Sequence, residues 1–310
     1  MKPTTMLQCK SHAVDLPMAP PTAHRGAGSR GLLWAGLALV ALLQAGLLAG
    51  CAAPGTASNA AGGATPAPGG PTTPRQDLAT ASDVSEREKR ARIRLELAAE
   101  YFAQGQTATA LDEVKQALVA EPNLPDAFNL RGLIYAALNE HELADDSFRR
   151  ALALNARDAD TLHNYGWYLC RRGKFREADG FFEQALAIPQ YRGRARTLLA
   201  QGVCHGRAGD LAAAEREILK AYELDPSNPV AGANLADVMY RRGEYERARF
   251  YIKRVNSVAE QSNAETLWLA ARIENKLGNT AGAEEFGAEL RKRFPRSREA
   301  AAFEGKRFND

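Results

Sequence analysis

The sequence is short of the residues from which catalytic and metal sites are built. Its 310 residues hold five histidines and four cysteines, and only His141, His163 and His205 lie beyond residue 50. No glycine-rich phosphate loop, nucleophile elbow or metalloprotease motif occurs, so the chain reads as a non-enzyme that calls for no cofactor and no metal. An excess of one charge is missing too. The formal balance is +3, but Lys2, Lys10, Arg25 and Arg30 against Asp15 account for it, and 36 basic and 36 acidic residues remain beyond residue 50. A neutral remainder gives no reason to expect nucleic acid as a partner. Pairs such as Arg149-Arg150, Arg171-Arg172 and Arg241-Arg242 read as solvated helix faces.

Long apolar runs are lacking with one exception. From Gly31 to Gly50 the sequence GLLWAGLALVALLQAGLLAG carries no charge and follows Arg25 and Arg30, the order of an export signal. It is also long enough to span a bilayer, so an uncleaved anchor is the alternative reading. The run ends in LAGC, Leu48 to Cys51, which resembles the bacterial lipobox. That resemblance implies a signal peptide over residues 1–50, cut before Cys51, which becomes the acylated first residue whether translation starts at Met1, Met6 or Met18. Ala52 follows where Asp would favour retention in the inner membrane. By resemblance, the expected location is therefore the periplasmic face of the outer membrane, lipid-anchored. Acyl chains contribute about 0.8 kcal/mol per buried methylene, and stable anchoring takes more than one chain. Residues 52–84 are mostly Ala, Gly, Pro, Thr and Ser; such a segment buries too little to offset the entropy of ordering it, and reads as a tether.

Residues 85–310 repeat. Glycine or asparagine stands at Gly105, Asn139, Gly173, Gly209, Gly243 and Gly278, at intervals of 34, 34, 36, 34 and 35. Five residues after each comes Ala110, Ala144, Ala178, Ala214, Ala248 or Ala283, and Pro122, Pro226 and Pro295 close three of the units. A glycine or asparagine can take the left-handed conformation that ends a helix. The alanine lets a second helix approach the first, where a bulkier side chain would overpack the crossing by roughly 1–3 kcal/mol. Apolar pairs such as Leu97 and Tyr101 or Tyr165 and Leu169 recur at helical spacing. This pattern resembles the tetratricopeptide repeat. The resemblance implies an all-α, right-handed superhelical solenoid of six repeats over 91–124, 125–158, 159–194, 195–228, 229–263 and 264–297, with a cap over 297–310. Ala156 stands where the family usually has proline, Arg131 where it has an apolar residue and Gly287 where it has an aromatic; a looser turn and a weak sixth repeat are expected.

Cys170 and Cys204 fall on the first helices of adjacent repeats. A disulfide or two buried thiols would both suit that placement. One metal ion held by His163, Cys170, Cys204 and His205 would not, because seven residues of helix separate His163 and Cys170 by about 10 Å.

The third and fourth repeats are more particular. Asn164 to Cys170 read NYGWYLC, Pro189 to Tyr191 read PQY, Gly202 to Cys204 read GVC, and Phe294 to Glu299 read FPRSRE. These segments resemble motifs of the PilW/PilF family of type IV pilus lipoproteins. The resemblance implies a disulfide between Cys170 and Cys204 and a role in assembly or stability of the type IV pilus secretin, its expected partner. A general envelope adaptor lipoprotein, serving outer-membrane protein assembly or peptidoglycan machinery, is the alternative. By resemblance to repeats of this type, a partner-binding groove would be lined by Asn129, Leu133, His163, Asn164, Trp167, Leu199, Val203, Ala233, Asn234, Asp237 and Tyr240, with Trp167 as the anchor.

Overall fold

The computed structural model describes residues 81–308. Among the described residues there are thirteen α-helices and no strand. Six antiparallel pairs follow one another: α1 (Ala81–Ala103) with α2 (Thr107–Ala120), α3 (Pro125–Ala137) with α4 (His141–Leu154), and α5 (Ala159–Arg171) with α6 (Phe175–Leu186). Then come α7 (Arg194–Ala208) with α8 (Leu211–Leu224), α9 (Pro229–Arg241) with α10 (Tyr245–Asn256), and α11 (Ala264–Lys276) with α12 (Thr280–Arg293), before the short α13 (Arg298–Glu304). Helix α1 starts at Ala81, so the segment read as tether to residue 84 gives up its last four residues to the first helix. None of these helices is long and apolar enough to cross a membrane.

One turn recurs inside every pair. Gly105, Asn139, Gly173, Gly209, Gly243 and Gly278 all have φ between 61° and 91°. The next residue then donates its N–H five positions back, as from Lys174 to the Leu169 carbonyl at 3.0 Å and from Asn279 to the Glu274 carbonyl at 2.9 Å. These bonds satisfy carbonyls that the helix end leaves open. Asn139 serves in place of glycine because asparagine tolerates the left-handed region better than other residues with a Cβ.

The connections between pairs are equally determined. Pro125 and Pro229 occupy the first turns of α3 and α9, where a missing N–H costs nothing. The Asp158 carboxylate accepts from Thr161 N–H, and Asn263 forms a reciprocal capping box with Thr266. Ala156 does not loosen its turn. Arg157 N–H donates to Asn155 Oδ1 at 3.3 Å and Asp158 N–H to the Asn155 carbonyl at 3.3 Å. Asp225 makes the same two bonds beside Pro226, at 3.2 Å each. The preceding Asn or Asp side chain therefore fixes the turn, with or without the proline.

Within a pair, a small residue on the first helix faces a bulky one on the second. A Cβ added at Gly132 would lie 2.8 Å from the Phe148 ring, at Gly166 2.9 Å from Phe182, and at Gly202 2.5 Å from Ile218. Ala144, Ala178, Ala214 and Ala248 are fully buried at the same crossings. Gly287 stands where Phe148 and Phe182 stand in earlier repeats, and its vacancy is not a weakness. A Cβ there would lie 2.0 Å from the Phe303 ring. Helix α13 thus supplies the ring that α12 lacks, and Phe303 packs with Leu267, Ala271 and Leu290, closing the stack. Phe303→Ala should cost about 3–5 kcal/mol by urea unfolding. A loss below about 1 kcal/mol would show that the ring is not what seals the sixth repeat.

Candidate functional site

Successive first helices pack side by side, α3 on α5, α5 on α7, α7 on α9 and α9 on α11, at the interaxial distance of about 8–10 Å usual for packed helices. Cys170 and Cys204 meet at the α5–α7 joint with Cα atoms 5.8 Å apart and their sulfurs bonded. A cross-link closing a separation of 34 residues restricts the unfolded chain by about 4 kcal/mol in the loop-entropy account. Seven residues, 187–193, connect α6 to α7 beside this joint, and they return Tyr191 to the helices. Its hydroxyl lies 3.0 Å from Thr197 Oγ1 and accepts from Arg196 Nη2 at 3.2 Å. Arg196 also donates to Asp160 on α5 at 2.6 Å, and Thr197 Oγ1 is 3.0 Å from His163 Nδ1. The polar chain Asp160–Arg196–Tyr191–Thr197–His163 therefore stitches the third repeat to the fourth. The sequence offers P-Q-Y as a motif but not its partners, which only the fold brings together.

These contacts change the reading of the expected groove. Of its eleven side chains only Asp237 is partly exposed. Asn164 donates to Asn129 at 3.2 Å, both being 1% exposed, and Asn234 donates to the Val230 carbonyl of its own helix. Leu133, Leu199, Val203 and Ala233 belong to the core, and Trp167 is 2% exposed beneath Arg207, whose guanidinium carbon lies 5.1 Å from the indole centre. Tyr240 is covered in the same way by Arg272 at 4.6 Å, and His163 is buried against Thr197. The cause is close packing: Asn129 with Asn164, and His163 with Thr197, bond across neighbouring first helices, Trp167 and Tyr240 lie under arginines of the next first helix, and the aliphatic side chains lie in the core. Cys51 lies outside the described residues.

Cations recur at the ends of the first helices. Arg171, Arg207, Arg241 and Lys276 each sit two residues before a turn glycine, in the last turn of α5, α7, α9 and α11. Arg241 donates to the Gly206 carbonyl at 3.0 Å and lies 3.8 Å from Asp237. Pairwise reading of the arginines as solvated faces missed this row. The signal was their constant offset from the turn.

Burial pushes the His163 imidazole down to about 3 from 6.5, and the nearby Arg196 cation adds to the shift. The folded protein keeps this ring neutral while the unfolded chain takes up a proton as pH falls through 6.5, so stability falls with pH below that point. Between pH 7 and pH 5 the native protein should lose about 2 kcal/mol more than His163→Gln, from about 1.4 kcal/mol per unit of pKa difference. Parallel losses in urea unfolding would show that the ring does not carry this pH dependence.

The chain matches known proteins along most of this length. Family models for the tetratricopeptide repeat match residues 125–158 and 207–267. The type IV pilus assembly protein PilF of Pseudomonas aeruginosa is 27% identical over 213 residues, 69% of this chain and 84% of PilF. A solved structure of Pseudomonas aeruginosa PilF superposes with a TM-score of 0.63 at 26% identity, over 71% of this chain and 99% of that one. The crystal structure of PilW, a widely conserved type IV pilus biogenesis factor, gives a TM-score of 0.65 at 31% identity over 68% of this chain and 97% of PilW. The repeat pairs, the α5–α7 joint and these full-length matches agree, and the chain belongs to the PilW/PilF family of tetratricopeptide-repeat proteins.

Proposed function

We propose that this protein is an outer-membrane lipoprotein, acylated at Cys51, that serves type IV pilus biogenesis as a non-catalytic scaffold for assembly or stability of the secretin. The observation that carries the reading is that the match spans nearly the whole of PilW and PilF rather than one or two generic repeats. Tetratricopeptide folds occur in many unrelated systems, so the fold alone would support no such assignment. The insertion that carries Tyr191 and the paired cysteines are features that generic repeats do not need. The LAGC segment supports an anchor through its resemblance to the lipobox, and the cations at the ends of successive first helices support this face as the partner surface.

In a strain lacking this gene, heat-resistant secretin multimers should be lost together with surface pili, and affinity capture of the lipidated protein from wild-type membranes should recover the secretin. Intact multimers with normal pili in the deletion strain would reject the proposal and favour a general envelope adaptor.

A further inference from the structure

On the second helices the six repeats serve as controls for one another. Two residues after the buried alanine of each stands Asp112, Asp146, Gly180, Arg216, Phe250 or Glu285. The others are charged or glycine, whereas Phe250 is an aromatic ring left 63% exposed. Eight residues after the alanine, the first three repeats carry Leu118, Leu152 and Leu186, and the fourth carries Tyr222. Six residues after it, Arg150 donates to Asn123 Oδ1 at 3.1 Å and Lys220 pairs with Glu217 at 3.0 Å. At that register in the fifth repeat, Arg254 has no carboxylate within ion-pair distance among the described residues. Packing accounts for Tyr222, which meets Tyr251 edge to face with ring centres 5.3 Å apart. It does not account for a phenylalanine left largely in water, nor for a cation without a counter-charge.

These departures meet at one place. Helices α8 and α10 both pack on α9, and a cleft of about 360 Å³ between their ends is lined in part by Tyr222, Pro229, Tyr251, Arg254, Val255 and Val258. Phe250 extends its apolar wall, with its ring centre 5.1 Å from that of Tyr251. No lining residue is acidic, and Asp225, beside the cleft in sequence, accepts from both the N–H and the hydroxyl of Ser227. From this arrangement we infer that the cleft seats the carboxyl-terminal residue of a partner protein, an apolar residue whose side chain lies against the two tyrosines and whose terminal carboxylate meets Arg254. The charges are complementary, and a guanidinium can hold a carboxylate through two parallel bonds. The volume falls at the small end of the range of about 300–1,000 Å³ usual for ligand sites. In a terminal residue the carboxylate and the side chain leave the same Cα, so a cleft this small can read both. An internal acidic residue would bring a continuing backbone whose polar groups need partners of their own. The inference rests neither on the acyl anchor nor on the secretin as partner.

The test uses the full chain and fluorescein-labelled eight-residue peptides read by fluorescence anisotropy. One peptide ends in Leu-Phe with a free carboxylate, a second is its carboxyl-terminal amide, a third carries Leu-Phe internally, and a fourth ends in Ser-Ser with a free carboxylate. The first should bind at least about tenfold more tightly than each of the others. Arg254→Gln should cut the preference for acid over amide to less than about twofold, and Phe250→Asp should weaken the first peptide at least about fivefold. Both variants should keep the native thermal melt, because other repeats carry Gln116, Gln184, Asp112 and Asp146 at the same registers. Equal binding of acid and amide, or of terminal and internal Leu-Phe, would mean a general apolar patch and overturn the inference. So would no binding to the native chain, or a full acid preference in folded Arg254→Gln. Recovery of the secretin by a native chain that ignores the first peptide would reject this inference and leave the proposed function standing.

Discussion

The contact on which the rest depends is a missing side chain facing a large one. Gly132, Gly166 and Gly202 on first helices leave the space that Phe148, Phe182 and Ile218 fill from second helices. Because the ring or branched chain nearly touches backbone, each pair closes at one crossing only, and the shape of each pair fixes where its neighbour can dock. Proteins tolerate volume-neutral exchanges at such crossings better than added or removed methylenes. The C-terminus shows the rule by its exception, since Gly287 would leave a void if Phe303 did not arrive from α13. The short last helix is thus part of the sixth repeat's core.

Close pairs bring first helices close to one another, and this decides what the surface can offer. Positions that would line a wide groove become joints: Asn164 with Asn129, His163 with Thr197, Trp167 beneath Arg207. At the ends of α5, α7, α9 and α11 the chain places cations in register. A chain whose charges balance beyond residue 50 thus still carries a row of positive charge along its first helices. The Cys170–Cys204 bond and the Tyr191 insertion hold the middle joint, where that row begins.

Much of this was legible in the sequence because it is periodic. The turn residues, the alanines after them and the helix-closing prolines repeat with a step that names the fold, and the left-handed turns occur at those six residues. Legibility ended where a contact joins residues of different repeats. Burial of Trp167 depends on how closely α7 approaches α5, which no single-repeat pattern encodes. Ala156 suggests a looser turn because proline is absent there, while Asn155 makes the bonds that fix it. Gly287 appeared to leave a hole because its filler lies sixteen residues downstream, outside the repeat.

The claim that complementary size at the crossing sets the architecture is most directly tested by a double-mutant cycle at the third repeat. A Cβ at Gly166 would lie 2.9 Å from Phe182 Cε1 and 3.2 Å from the Ala178 carbonyl oxygen. Gly166→Ala should destabilise the native chain by about 1–3 kcal/mol, and should cost at least about 1 kcal/mol less in a Phe182→Leu background, where the ring no longer occupies that space. Strictly additive costs in urea unfolding would contradict the account, because glycine and ring would then act independently.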